Sequence, residues 1–206
     1  SLNLNYINES IPFSKLNALP PDLSDFIERR VGDRLGLILF ADTAYLQAPL
    51  TYDRKTVEQL LLESQIGLVG EQTAIGDAIG LSIKRFASRE ESNKVIILLT
   101  DGQNTAGNIT PAQANELAVN NEVTVYTIGV GADSMITQGF FGQRQTNPSR
   151  DLDENMLTEL AESTGGQYFR AKDTQSLQQI YTILDALEPI ERESRQMRPL
   201  QALFYF

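Results

Sequence analysis

Residues 95–102 decide the fold, and they read Val-Ile-Ile-Leu-Leu-Thr-Asp-Gly. A short apolar run that is rich in β-branched residues and ends in a turn signal is typical of a strand buried on both faces of a parallel sheet. Residues 35–40 and 123–130 have the same character. We therefore predict three buried parallel strands, of which the strand over 95–100 delivers Asp101 at its carboxyl end.

Other segments alternate with these strands. Residues 167–171 and 44–50 predict two shorter strands, the latter at a sheet edge because Pro49 cannot donate a ladder hydrogen bond. Start signals predict helices at the prolines of positions 20 and 21, at Thr73, at the capping box from Thr110 to Gln113, at Asp153, and at Asp173 or Thr174. Gly76 and Gly80 should let the helix over 73–87 approach its neighbour closely. The sequence thus predicts an α/β fold with a doubly wound, mostly parallel, Rossmann-like sheet flanked by helices, and a ligand site at the carboxyl ends of the strands.

Composition narrows the classes of partner. The 17 basic residues against 27 acidic ones give a net charge of -10, which repels phosphate backbones, so we expect no nucleic-acid partner. Because the chain has no Cys and no His, any bound metal should be a hard cation held by oxygen. No segment is apolar for long enough to span a bilayer, and residues 1–5 lack signal-peptide character, so the chain as given is expected to be soluble.

Asp101 and Thr73 are the candidate metal ligands. A carboxylate at the carboxyl end of a buried strand can take a hard cation directly or through water, and Gly102 allows a tight turn beside it. Thr73 stands at the predicted start of a helix and can present its hydroxyl oxygen to the same cation. Each residue also has a plainer interpretation, Asp101 as part of a local turn and Thr73 as a helix N-cap.

Four phrases together resemble one protein family. They are Gly-Asp-Arg-Leu-Gly-Leu-Ile-Leu-Phe at 32–40, Thr-Ala-Ile-Gly-Asp-Ala at 73–78, Leu-Thr-Asp-Gly at 99–102 and Tyr-Thr-Ile-Gly-Val-Gly at 126–131. From about residue 14 to residue 198 the chain is similar to the von Willebrand factor A (vWA) family, and more specifically to bacterial aerotolerance (Bat) proteins of the BatA kind. In that family a metal-ion-dependent adhesion site (MIDAS) combines Asp-x-Ser-x-Ser after the first strand, a Thr from a second loop and an Asp after the fourth strand. Thr73 and Asp101 match the last two elements.

The chain departs from the family pattern at its amino end. It contains no Asp-x-Ser-x-Ser, so the central first strand is expected to be missing, with the motif falling just before residue 1. The resemblance implies an N-terminally truncated vWA-like domain over 1–188 and an extension over 189–206 that leads to a membrane anchor. The apolar end at 203–206, Leu-Phe-Tyr-Phe, is either a frayed terminus or the edge of that anchor.

The resemblance implies a binding module rather than an enzyme. In the family a divalent cation, usually Mg²⁺, completes its coordination shell with a carboxylate from a partner protein. For this chain the resemblance implies Mg²⁺ or Mn²⁺ as the cation. With only Thr73 and Asp101, this chain is expected to bind the cation weakly or not at all. The resemblance also implies partners among other Bat-like proteins or MoxR-type AAA+ ATPases, and a role in envelope-complex assembly or stress tolerance. It implies an anchor in the bacterial inner membrane with the domain in the periplasm, whereas Arg192, Arg195 and Arg198 near the aromatic end favour the cytoplasmic side.

Enzymatic interpretations have less support. Gly129-Val130-Gly131 hints at a dinucleotide loop, but position 134 is Ser where a third glycine is required. The alternative to a binding module is a metal-dependent phosphohydrolase on a Rossmann-like sheet, which would use Asp101. No His, Cys or suitably placed Lys accompanies Asp101 as a nucleophile or base.

Residues 132–152 form the one long stretch without regular pattern, and we expect the partner surface there. This stretch leaves the sheet at the edge where Asp101 should lie, and Phe140, Phe141 and Arg144 are of the types that dominate interfaces. The alternative is that the two rings fold back and fill a local pocket. The missing strand should also leave strand edges exposed, which residues 2–7 or a second copy of the chain can cover, so a homodimer is expected.

Overall fold

Strands and helices alternate along the chain in the computed structural model, which describes residues 21–63, 72–86, 93–131, 135–139, 142–146 and 152–188. The strands are β1 (Leu35–Phe40), β2 (Ala44–Thr51), β3 (Lys94–Thr100), β4 (Val123–Val130), β5 (Met135–Gly139), β6 (Gly142–Thr146) and β7 (Tyr168–Ala171). The helices are α1 (Pro21–Arg29), α2 (Arg54–Leu62), α3 (Ile75–Phe86), α4 (Pro111–Asn120), α5 (Glu154–Ser163) and α6 (Thr174–Leu187).

β3, β4 and β7 form a parallel sheet in that order. β4 pairs with β3 along nearly its whole length, starting from Lys94 opposite Val123, and its last four residues pair with β7. Long connections that contain α4 and α5 join these strands, as parallel pairing requires. The strands predicted at 95–100, 123–130 and 167–171 are confirmed. β4 lies in the middle, and nearly all of its side chains are buried.

The strand predicted at 35–40 is present, but its pairing differs from the prediction. β1 pairs with β2 in an antiparallel sheet of two strands, and none of the β1 residues is fully buried. Only residues 41–43 connect the two strands, and such a short connection can join only antiparallel neighbours. The prediction of a buried parallel strand was therefore wrong here. β2, which carries Pro49, has no second neighbour among the described strands, as predicted for an edge.

A break separates β1 from β3, although both strands pack on shared helices. On one face, Phe40 of β1 packs against the apolar cluster that contains Ile96 of β3 and Ile79 of α3. On the other face, Leu23 of α1 packs both against the cluster under the parallel sheet and against the cluster that contains Ala48 of β2. No ladder joins β1 to β3 within the described ranges. Among the described strands, the two sheets are therefore held together by shared helices and not by a strand ladder.

The helix starts predicted at the prolines, at Thr110, at Asp153 and at Asp173 are confirmed. Thr110 and Gln113 form a reciprocal capping box at the start of α4, and the carboxylates of Asp153 and Asp173 cap α5 and α6. The first helix begins at the prolines, with Pro21 as its first residue. Within the described ranges, no helix combines the length and the apolar character that crossing a membrane requires.

α3 lies very close to the segment that precedes α4. A Cβ placed on Gly76 would be 1.9 Å from the carbonyl oxygen of Ile109, and a Cβ on Gly80 would be 2.5 Å from Ile109 Cδ1. The close approach predicted from the two glycines is therefore confirmed. It brings the loop that follows β3 against the first turns of α3.

Part of the stretch over 132–152 is an antiparallel hairpin that the sequence did not predict. β5 pairs with β6 from Met135 opposite Thr146 to Gly139 opposite Gly142. Two residues separate the paired glycines in the sequence, a spacing typical of hairpins. The expectation of an irregular loop was wrong for 135–139 and 142–146, because polar residues give these strands no apolar alternation to recognise. Residues 132–134, 140–141 and 147–151 lie outside the described residues.

Candidate metal site at the carboxyl edge of the sheet

Asp101 directly follows β3, at the carboxyl edge of the parallel sheet. The backbone N–H of Gly102 donates to the hydroxyl of Thr100 at 3.3 Å, so the local turn is closed by Thr100. The Asp101 side chain is exposed, yet partial desolvation by the surrounding protein raises the pKa of its carboxyl above the ordinary value. Apart from its own backbone N–H, no group in the described ranges bonds this carboxylate. Asp101 is therefore available as an anionic ligand.

Thr73 precedes α3 but does not cap it. The first amides of the helix, Ile75 N and Gly76 N, donate instead to Oδ1 of Asn104, at 2.8 and 3.3 Å. The N-cap interpretation of Thr73 was therefore wrong. Its hydroxyl makes no hydrogen bond with any described residue. It lies beside the turn that follows β3, because a Cβ placed on Gly102 would be 3.7 Å from Thr73 Oγ1.

Hydrogen bonds fasten Thr73 to the loop after β3. Thr73 N donates to the hydroxyl of Thr105 at 2.9 Å, and the Thr73 carbonyl accepts from Thr105 N at 2.9 Å and from Ala106 N at 3.2 Å. On the other side, two bonds of 2.7 Å each join residues 72 and 74 to residues 41–42 in the β1–β2 connection. Three loops are thus held together at the edge where Asp101 emerges.

Asn104, Thr105 and Asp77 contribute to this edge without having been predicted. Oδ1 of Asp77, the third residue of α3, accepts the backbone N–H groups of Asn108 and Ile109, both at 2.8 Å. The polar run at 103–105, directly after a buried strand, was a signal that this loop is structured. The partners could not be assigned from it, because they lie between 28 and 32 residues away along the chain.

The two predicted ligands fit a hard cation in kind but not in number. Carboxylate and hydroxyl oxygens suit Mg²⁺ and Mn²⁺. A nearby positive charge would also stabilise the ionised form of the Asp101 carboxyl, which partial desolvation disfavours. An octahedral shell needs more oxygens than Thr73 and Asp101 supply. In the ranges that the structure describes, no three acidic side chains are grouped so as to hold a metal. Thr73 and Asp101 therefore remain predicted ligands, and by themselves they supply fewer oxygens than such a shell needs.

The residues predicted to bind a partner are only partly covered by the structure. Phe140 and Phe141 lie outside the described residues, and Arg144 stands on β6 opposite Thr137. The hairpin follows β4, whose carboxyl end is adjacent to that of β3, since Thr100 pairs with Gly129. The chain therefore leaves β4 at the Asp101 edge, while the binding role of the three residues stays a prediction.

Comparison with known structures identifies similar domains. BatB from Bacteroides thetaiotaomicron is 27% identical, with a TM-score of 0.63 over 82% of this chain and 85% of that chain. An aerotolerance-related membrane protein from Bacteroides fragilis is 26% identical, with a TM-score of 0.63 over 82% and 87% of the two chains. Proximal thread matrix protein 1 from the mussel byssus, in a structure with a zinc-occupied MIDAS motif, is 25% identical, with a TM-score of 0.64 over 82% of this chain and 39% of that chain.

Comparison at the level of sequence agrees. The family model of the von Willebrand factor type A domain matches residues 16–183. A Borreliella burgdorferi protein described as uncharacterized is 28% identical over 191 residues, which are 89% of this chain and 56% of that protein. The chain spans about half the length of the curated relatives it matches. The predicted resemblance and the predicted fold class are confirmed by these matches.

Proposed function

Because the chain belongs to the von Willebrand factor type A family, we propose that it acts as a metal-assisted protein-binding module rather than as an enzyme. The observation that supports this most is the presence at one sheet edge of two side chains, the hydroxyl of Thr73 and the carboxylate of Asp101, to which no other described residue is hydrogen-bonded. Asp101 would supply negative charge and Thr73 a neutral oxygen to Mg²⁺ or Mn²⁺. When bound, the cation would offer an open coordination position to a carboxylate of the partner protein.

The partner is proposed to contact the hairpin as well. Phe140 and Phe141 would provide apolar contact area, and Arg144 would pair with an acidic group of the same partner. This proposal is supported by the exit of the chain from β4 at the edge of Asp101. A partner that presents a carboxylate to the cation and an apolar patch to the hairpin would then be held at two points.

For the cellular role we propose a membrane-associated Bat-like protein whose vWA domain, over 1–188, lies in the periplasm. Residues 189–206 would lead to an anchor in the inner membrane. The partners would be other Bat-like proteins or a MoxR-type AAA+ ATPase, and the process envelope-complex assembly or stress tolerance. Similarity to an aerotolerance-related membrane protein supports this setting.

Calorimetry with Mn²⁺ tests the metal proposal in two forms of the chain. The 206-residue chain should bind Mn²⁺ with a dissociation constant no tighter than about 1 mM, since two side chains make a weak site. The same chain, extended at its amino end by an apolar strand ending in Asp-x-Ser-x-Ser, should bind at about 10 µM. Asp101→Ala and Thr73→Val should each remove this gain, whereas Asp25→Ala, at an exposed carboxylate on α1, should leave it.

Two results would contradict the metal proposal. One is micromolar binding by the 206-residue chain itself. The other is binding by the extended chain that survives Asp101→Ala.

An assay for turnover separates the module from a metal-dependent phosphohydrolase. The extended chain with Mn²⁺ should not hydrolyse a generic phosphoester such as p-nitrophenyl phosphate, because the sequence has no His or Cys to act beside Asp101 as base or nucleophile. Hydrolysis that requires the metal and disappears in Asp101→Ala would favour the enzyme. Saturable binding of a protein partner without turnover would favour the module.

A further inference from the structure

We infer that Asn104 and Asp77 are positioning residues, which hold the loop of Asp101 at a set separation from the hydroxyl of Thr73. The inference rests on the proposed cation site, and it deepens that proposal by assigning what keeps the two ligands in place. In both side chains, Oδ1 accepts hydrogen bonds from backbone N–H groups of the opposite segment. They therefore act through the ligands and not as ligands.

Asn104 ties the loop to the start of α3. Its Oδ1 accepts from Ile75 N at 2.8 Å and from Gly76 N at 3.3 Å, so it satisfies amides that the helix leaves free at its amino end. Its Nδ2 donates to the carbonyl of Ala106 at 3.2 Å. One side chain thus caps the helix that follows Thr73 and closes the loop that follows Asp101.

Asp77 makes the reciprocal connection, from the helix to the loop. Its Oδ1 accepts two backbone N–H groups, those of Asn108 and Ile109, at 2.8 Å each, and such bonds are stronger than neutral ones because the acceptor is charged. Gly107 permits this contact, since its φ is +100° and a Cβ on it would be 3.0 Å from Asp77 Cγ. Asp77 is acidic and lies four residues after Thr73 in the sequence, but its bonds to the loop assign it a supporting role.

The geometry has a direct consequence for ligand placement. Strand β3 sets the position of the Asp101 backbone, but Thr73 belongs to a separate segment. The distance between the two ligands therefore depends on the contacts that join these segments. Asn104 and Asp77 join them from opposite directions, and the bonds of Thr73 to Thr105 and Ala106 lie between these two connections. Side chains that orient ligands in this manner typically contribute 10–100-fold to metal affinity.

Hydrogen exchange tests the inference in the 206-residue chain without any metal. The amides of Thr105 and Ala106, which donate to the Thr73 carbonyl, should exchange about tenfold faster in Asn104→Ala and in Asp77→Ala. Asn104→Asp keeps the oxygen that accepts from Ile75 N and Gly76 N but loses the Nδ2 donor to the Ala106 carbonyl, so it should recover part of the slow exchange that Asn104→Ala loses. Thr110→Ala removes the capping box of α4 beyond the same loop and should leave both amides within about twofold of the parent chain.

Two results of the exchange measurement would contradict a positioning role for Asn104 and Asp77. Unchanged exchange at Thr105 and Ala106 in both alanine variants would overturn the inference. An equal rise in Thr110→Ala, or at buried β4 residues such as Val125 and Ile128, would overturn it as well, because that pattern reports general destabilisation.

Mn²⁺ affinity of the extended chain provides the second readout. Asn104→Ala and Asp77→Ala should weaken binding about 10–100-fold. Asn104→Asp should recover part of the affinity that Asn104→Ala loses, and Thr110→Ala should leave the affinity unchanged. Unchanged affinity in the two alanine variants would overturn the inference. If the extended parent chain fails to bind Mn²⁺, the proposed cation site is wrong, and the exchange measurement alone decides whether the two residues position the loop.

Discussion

Gly76 lies against the backbone of Ile109 so closely that a Cβ added to the glycine would be 1.9 Å from the Ile109 carbonyl oxygen. This contact seats the loop that follows Asp101 against the helix that follows Thr73. The neighbouring contact of Gly80 differs in kind, because its Cβ would meet the end of the Ile109 side chain, at 2.5 Å. Backbone cannot move aside at Gly76, whereas a side-chain end can rotate at Gly80.

Gly76→Ala should therefore lower the free energy of unfolding by about 3 kcal/mol, the upper range for overpacking. Gly80→Ala, the matched control in the same helix, should be nearly neutral, because a gain in helix propensity of up to about 1 kcal/mol offsets a small side-chain shift. Urea unfolding of both variants measures the difference. Equal losses would show that the close backbone contact is not what requires glycine at position 76.

Asp101→Asn should stabilise the fold at neutral pH and not at low pH. Desolvation raises the pKa of Asp101 in the folded state, so folding disfavours the charged form, and the parent chain loses stability as pH rises from the ordinary value near 4 through the raised one. The variant does not titrate there. Its melting temperature should exceed that of the parent by up to about 2 °C at pH 7, since the side chain is exposed, and the difference should vanish near pH 3. A difference of the opposite sign, or one independent of pH, would contradict the prediction.

The break between β1 and β3 should make the 206-residue chain self-associate. Both strands lack a ladder partner on that side within the described ranges, and unpaired strand edges pair readily with another chain. Light scattering at about 100 µM should show dimers that dissociate on dilution. The chain extended by an apolar strand should stay monomeric under the same conditions, because that strand fills the break. A strictly monomeric 206-residue chain would show that these edges are covered in another way.

Replacing both Phe140 and Phe141 by Ser separates a surface role from a structural one. If the rings bind the partner, the melting temperature should change by less than about 1 °C while partner binding is lost. If the rings fill a local pocket, their removal costs several kcal/mol, and the melting temperature should fall by roughly 6 °C or more. A destabilised double variant that still binds its partner at low temperature would rule out the surface role.

Local features of this protein followed from the sequence by itself. The apolar runs of β3 and β4, the capping box of Thr110 and the cap of Asp173 each depend on residues a few positions apart, so periodicity and start signals were enough to find them. Asp101 was found for the same reason, because it ends a recognisable strand.

Only the tertiary structure decided how these pieces meet. The apolar pattern of β1 does not specify its partner, so its antiparallel pairing with β2 was missed. Thr73 has the residue type of an N-cap, yet Asn104 takes the first amides of α3 from 29 residues further along the chain. Asp77 likewise accepts from backbone N–H groups that lie 31 and 32 residues away along the chain. A free N–H group can donate to any suitable oxygen that the fold brings near. Which oxygen comes near depends on long-range packing, which cannot be read from local spacing or residue type.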